Sequence, residues 1–152
     1  MDIITNSELE TIELGRKIGQ LLTNGDLICL DGDLGAGKTH FTKGLAQGMG
    51  IREEITSPTF TIVQEYDGER DLYHFDVYRL FDEEELYLIG FEDYLKRKGV
   101  IIVEWSEKVR GILPKDRLEI RIEYLDGPDN RKLVFEPFGK RAEELVEKFQ
   151  GW

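Results

Sequence analysis

Residues Gly32 to Thr39 read Gly-Asp-Leu-Gly-Ala-Gly-Lys-Thr, which satisfies G-x-x-x-x-G-K-[S/T] at every required position. Each residue type answers a need of polyphosphate binding. Successive backbone N–H groups must curl around the phosphates, and glycine permits that path. A helix beginning near Lys38 adds the positive end of its dipole. The pattern therefore predicts a nucleotide cradle made of Asp33, Leu34, Gly35, Ala36, Gly37, Lys38, Thr39 and His40. In it the Lys38 ammonium meets the β- and γ-phosphates and the Thr39 hydroxyl ligates Mg²⁺. The bland alternative is a glycine-rich turn with a surface lysine. The flanks argue against it, because an apolar run, Asp26–Leu30, precedes the loop and a helix-compatible stretch follows.

Binding a nucleotide is not turning it over, which also needs an acid near Mg²⁺ and a group that orients the nucleophile. Glu104 ends the apolar run Val100-Ile101-Ile102-Val103, and Asp76 ends Leu72-Tyr73-His74-Phe75. Carboxyl ends of strands are where ligands gather in open α/β sheets. Both acids are expected to be catalytic, with Glu104 also a Mg²⁺ ligand; the alternative for each is a strand-end acid facing water. Ser57-Pro58-Thr59 is a stiff, hydroxyl-bearing stretch that resembles a switch sensing the γ-phosphate, or else is a plain strand-entry turn. Trp105 follows Glu104 and is placed to stack on the base or to pack. His40 packs or caps within the loop's helix, and His74 reads as structural. Two lone histidines and one cysteine form no zinc site at the usual spacings.

These residues need a frame. Ser7 to Leu22 has helical periodicity, with Ser7 and Glu10 forming a capping box. Thr59 to Val63 is rich in strand formers, and Asp67-Gly68 turns a hairpin towards a strand over Asp71–Tyr78. Asp82 to about Lys96 reads as one helix, and Val100–Val103 as a central strand. Strands near Arg117–Tyr124 and Arg131–Phe135, then a helix over Gly139–Gln150, close the chain. The pattern predicts one α/β domain over residues 1–152, a P-loop NTPase-like sheet with parallel centre, antiparallel additions and flanking helices.

Composition narrows the field. A chain of 152 residues with 40% apolar content supports a real core. A net charge of −11 argues against extended nucleic-acid binding by this chain alone, which needs many basic contacts to phosphate. Cys29 sits in the apolar run before the loop, as small core filler. No secretory pattern or membrane-spanning run is present, so the expected location is cytoplasmic, with no membrane partner. No asparagine sits in an Asn-Lys-x-Asp guanine reader, and no segment gathers the arginines a kinase lid requires. An ATPase or ATP-dependent switch is left, beside a free-standing small-molecule kinase and a nucleotide sensor with negligible turnover.

The motifs together resemble the TsaE family of bacterial ATPases. GDLGAGKT at 32–39, TSPTFTIVQEY at 56–66, YHFDVYRL at 73–80, VEWSEK at 103–108 and the Leu113-Pro114 element carry the likeness, which runs to about Tyr124. The resemblance implies the ATPase component of the machinery that makes threonylcarbamoyladenosine next to the anticodon of ANN-decoding tRNAs. It implies TsaB and TsaD as partners, with tRNA reached only through them and ATP hydrolysis resetting the pair between turnovers. It also implies ATP or ADP with Mg²⁺ as cofactors, Thr39 and Glu104 as Mg²⁺ ligands, and Asp76 in catalysis or the Mg²⁺ water shell. Ser57 and Thr59 would lie in the switch, Trp105 near the nucleotide, and the helix start from Ser7 to Thr11 beside the adenine. Arg79 is the nearest candidate for an arginine finger.

Overall fold

The computed structural model describes residues 1–33 and 35–152. Its centre is one seven-stranded sheet: β1 (Asp2–Thr5), β2 (Leu27–Gly32), β3 (Val63–Tyr66), β4 (Leu72–Asp76), β5 (Val100–Glu104), β6 (Arg117–Tyr124) and β7 (Arg131–Phe138). Their order is β1-β7-β6-β2-β5-β4-β3. The pairs β4–β5, β5–β2 and β2–β6 are parallel, while β3–β4, β6–β7 and β7–β1 are antiparallel. Strands covered on both faces have no reason to alternate polar with apolar residues. Accordingly every residue of β4 and β5 is buried, including the acids that end them.

Helices α1 (Glu8–Leu21), α2 (Lys38–Gly48) and α5 (Lys140–Phe149) cover one face. Helices α3 (Glu83–Leu88) and α4 (Phe91–Lys96) and a 3₁₀ segment, Ser106–Ile112, cover the other. There Phe75 meets Phe91 and Tyr94 edge-on, with ring centres 5.2 and 5.1 Å apart. The helix that carries the glycine loop is held by an unusually close partner. A Cβ on Gly19 of α1 would lie 2.2 Å from the Leu45 carbonyl oxygen, and one on Gly44 of α2 would lie 2.1 Å from that of Ile12. Only glycine allows the two backbones to approach so nearly.

The expected elements are present, beside the unanticipated 3₁₀ segment Ser106–Ile112 and three further differences. The N-terminal strand β1 was not anticipated; four residues carry little periodic signal, and the strand forms by pairing with β7. The stretch from Thr59 to Ile62 is turn and bend, so the expected strand begins only at Val63. Here a local i→i−4 turn overrides strand propensity. The Ile62 N–H donates to the Pro58 carbonyl at 2.6 Å, and Ile62 adopts φ 71°. The single helix expected from Asp82 to Lys96 is two, because Gly90 at φ 96° ends one and starts the next. The capping box holds in modified form. Ser7 accepts from the Glu10 N–H at 3.1 Å, while Glu10 reaches back to the N–H of Asn6.

Candidate nucleotide and metal site

Strand β2 leads into the glycine loop, and the loop into α2. Gly35 and Gly37 have φ of 78° and 106°, where side chains are strained. Gly37 thereby serves as N-cap of α2, leaving that helix's first N–H groups directed at the loop's concavity. Leu34, expected in the cradle, lies outside the described residues. The loop is tied to β7, the strand next to the β1 edge, by Arg131, whose Nε donates to the Ala36 carbonyl at 2.9 Å.

Above the carboxyl ends of β2, β4 and β5 lies a cleft of about 310 Å³. It is lined by Gly35, Gly37, Lys38, Thr39 and His40 from the loop and α2, by Ser57 and Thr59, and by Asp76, Tyr78, Glu104 and Trp105. Parallel register puts Asp76 opposite Glu104, so two chain-distant acids arrive side by side. Most of the sequence-expected residues thus meet in one place. Thr11 does not line this cleft. It is buried at the start of α1, where its hydroxyl meets that of Thr5 at 2.7 Å.

Lys38 is buried, not on the surface as the turn reading would have it. Its ammonium donates to the carbonyls of Gly32 and Asp33, and the Trp105 ring centre lies 4.0 Å away. That places Trp105 against the Lys38 ammonium, beside Tyr78 at 4.8 Å. Desolvation lowers the Lys38 pKa, opposed by the charges of Glu104, Asp76, Asp31 and Asp33. His40 stands 3.7 Å from Glu8.

The Ser57–Thr59 segment reaches the acids directly. The hydroxyls of Ser57 and Thr59 are 2.7 Å apart, and Thr59 donates to Asp76 Oδ2 at 3.0 Å. The Tyr78 N–H donates to Asp76 Oδ1 at 2.9 Å. Glu104 meets His74, whose Nε2 is 2.6 Å from Glu104 Oε2. Sequence reasoning set His74 aside as structural. Its signal was its place two residues before Asp76 on a strand, and so on the same face. Sequence reasoning also missed Asp31, whose carboxylate accepts from Ser106 N–H at 2.7 Å and Ser106 Oγ at 2.6 Å. This clasp fixes the turn after Glu104, in which Trp105 holds φ 61°.

The donor set suits Mg²⁺, a hard cation that takes oxygen ligands and is typically bound through one or two carboxylates plus phosphate. The Thr39 hydroxyl and the carboxylates of Glu104 and Asp76 supply such oxygens in one cleft. Among the described residues no group of three or more His, Cys, Asp or Glu side chains forms an all-protein metal cage. Arg79 does not line the cleft; its guanidinium lies 4.9 Å from the exposed Phe60 ring.

A parallel-centred sheet with a glycine loop joining β2 to α2, and acids on the neighbouring strand ends, defines the class as a P-loop α/β protein. The family described as "Threonylcarbamoyl adenosine biosynthesis protein TsaE" matches residues 5–133. A tRNA threonylcarbamoyladenosine biosynthesis protein TsaE from Bacillus subtilis is 45% identical over 140 residues, covering 91% of this chain and 87% of the relative. The protein of the same description from Treponema pallidum is 44% identical over 135 residues, covering 88% and 98%. The crystal structure of Bacillus subtilis YdiB superposes with a TM-score of 0.81 at 39% identity, covering 97% of this chain and 92% of that one. The chain belongs to the TsaE family.

Proposed function

We propose that this chain is a Mg²⁺-dependent ATPase, a single domain over residues 1–152, that serves tRNA threonylcarbamoyladenosine biosynthesis in the cytoplasm with TsaB and TsaD. The observation that carries the chemistry is the meeting of Lys38, Thr39, Asp76 and Glu104 in one cleft at the carboxyl ends of three parallel strands. Lys38 exchanges its loop carbonyls for the β- and γ-phosphates. Thr39 and Glu104 hold Mg²⁺, which when bound neutralises charge on the phosphates. Asp76, bonded to Thr59 and to the Tyr78 N–H, ties the Ser57–Thr59 segment to β4, so the γ-phosphate and that segment are sensed together. Trp105 covers the phosphate end, and the start of α1 near Thr11 borders the adenine.

The output of such a site is conformational, carried by the Thr59–Asp76 bond that ties the Ser57–Thr59 segment to β4. Other cavities lie at the sheet's opposite end, along α2, and beside the loop, where Gly32 and Asp33 line one with residues 121–124 of β6. A net charge of −11 assigns tRNA to the partners, and the lack of a cleft-lining arginine among the described residues leaves room for one in trans. Such an arginine is worth about 10³–10⁵ in rate where measured. No helix among the described residues is long and apolar enough to cross a membrane. The test is phosphate release across a Mg²⁺ series, alone and with the TsaB–TsaD pair. Slow turnover alone, raised by the pair, is expected. Full-speed hydrolysis by the isolated chain, or no association with the pair in any nucleotide state, would sink the partner reading.

A further inference from the structure

We infer that His74 is a positioning residue, which holds the Glu104 carboxylate in the orientation that receives Mg²⁺. The inference rests on the Mg²⁺ reading above and adds to it a residue outside the cleft. His74 and Glu104 are 1% and 3% exposed, and the ring Nε2 is 2.6 Å from Glu104 Oε2. A carboxylate accepts, so Nε2 carries the proton of this contact. The other ring nitrogen, Nδ1, is the one buried side-chain polar atom among the described residues without a hydrogen-bond partner. Leaving such an atom unpaired is costly, and buried polar groups of this kind call for an explanation in function or strain.

The surroundings sharpen the point. Leu72 on the same face of β4, and Val100 and Ile102 on β5, belong to the apolar cluster beneath α1 and α2. An apolar residue at position 74 would extend that cluster and leave no orphaned nitrogen. What the imidazole supplies instead is the hydrogen bond to Glu104. It commits Oε2 and leaves Oε1 for the cleft that Glu104 lines. Groups that orient a metal-binding carboxylate in this manner typically govern metal affinity by 10- to 100-fold.

The test compares His74→Gln with His74→Asn. The Gln amide nitrogen stands close to where Nε2 does, whereas the Asn amide reaches only to the region of Nδ1, away from Glu104. Mn²⁺ is the probe, titrated by electron paramagnetic resonance into the protein with a non-hydrolysable ATP analogue, and Glu104→Gln is the control. His74→Asn is expected to weaken Mn²⁺ by about 10-fold or more, with metal-free nucleotide affinity unchanged, while His74→Gln retains most of it. Equal Mn²⁺ affinity in the Gln and Asn variants, with Glu104→Gln impaired, overturns the role of His74 alone. Unchanged Mn²⁺ affinity in Glu104→Gln overturns the metal reading and this inference with it.

Discussion

Two clefts of nearly equal volume open at opposite ends of this sheet. The one at the carboxyl ends holds about 310 Å³ and contains Lys38, Asp76 and Glu104. The one at the amino ends of β2 and β6 holds about 290 Å³ and contains Asp26, Arg117 and Arg141. The difference between them lies in how their charges are bonded. At the amino end, Arg141 grips Asp26 through two nitrogens at 3.0 and 2.9 Å, and Arg117 is bound to Glu119 at 2.8 Å. Asp26, Arg117 and Arg141 are each matched by an opposite charge across good hydrogen bonds. At the carboxyl end, the buried Lys38 ammonium rests on backbone carbonyls and an aromatic face, with no carboxylate bonded to it among the described residues. Those are contacts that an anionic phosphate can displace. Volume alone does not distinguish a binding site from a structural crevice, and uncommitted charge does.

The sharpest way to break the comparison is at Glu104. Glu104→Ala removes the carboxylate that the metal reading requires, and a metal's charge stabilisation is worth several kcal/mol. Turnover should fall on the order of 10²-fold or more, with a weakened Mg²⁺ dependence and a much smaller change in nucleotide affinity. Steady-state phosphate release over a Mg²⁺ series measures this. Wild-type turnover throughout would make Glu104 an ordinary strand-end acid. Lys38→Ala comes next. A hydrogen bond to a charged group contributes about 1.5–3 kcal/mol, so ATP affinity should drop roughly 10- to 100-fold. Calorimetric titration of the folded variant decides, and unchanged affinity would place the phosphates elsewhere.

How far the sequence revealed this arrangement differs between the two clefts. The glycine loop, Lys38, Asp76 and Glu104 were legible because each is tied to a local pattern, a motif or the end of an apolar run. The central strands were legible for the same reason. Contacts made only in three dimensions were not. The clasp between Asp31 and Ser106 spans 75 residues, and Arg141 reaches Asp26 across 115. The His74–Glu104 contact follows from two strands lying parallel and adjacent, which neither strand states alone. The close glycines of α1 and α2 likewise acquire meaning only when the helices touch.

Arg141→Met probes the other cleft. It leaves the buried Asp26 carboxylate without its guanidinium, which should cost about 1–3 kcal/mol. A thermal melt should shift down by roughly 2–4 °C for each kcal/mol lost in a chain of this size. ATP affinity should not change, because that cleft lies at the opposite end of the sheet from the one that Lys38 lines. Loss of nucleotide binding without loss of stability would invert the assignment of the two ends.

The smallest expected effect separates commitment from location. Asp31 lies at the active end, directly before the loop's first glycine, yet it is committed: both its oxygens accept from Ser106. Burial raises its pKa above the ordinary 3.8, against the pull of those two hydrogen bonds, and Glu107 and Glu119 add to the rise. A carboxyl group with a raised folded pKa binds its proton more tightly folded than unfolded. Its stabilising contribution is complete below the unfolded value and is lost as pH rises through the folded one. Asp31→Asn cannot ionise. Its carbonyl still accepts from the Ser106 N–H, and its amide can donate to the Ser106 hydroxyl. The melting temperature of the variant, relative to the parent, should therefore climb as pH is raised from about 4 to about 7. ATP affinity should change less than in either loop or metal-site variant. The opposite trend, a parent that gains on the variant with rising pH, would mean that Ser106 holds Asp31 as a stabilised anion. The active end would then contain a third working carboxylate beside Asp76 and Glu104, and the division between bonded and available charge would have to be redrawn around it.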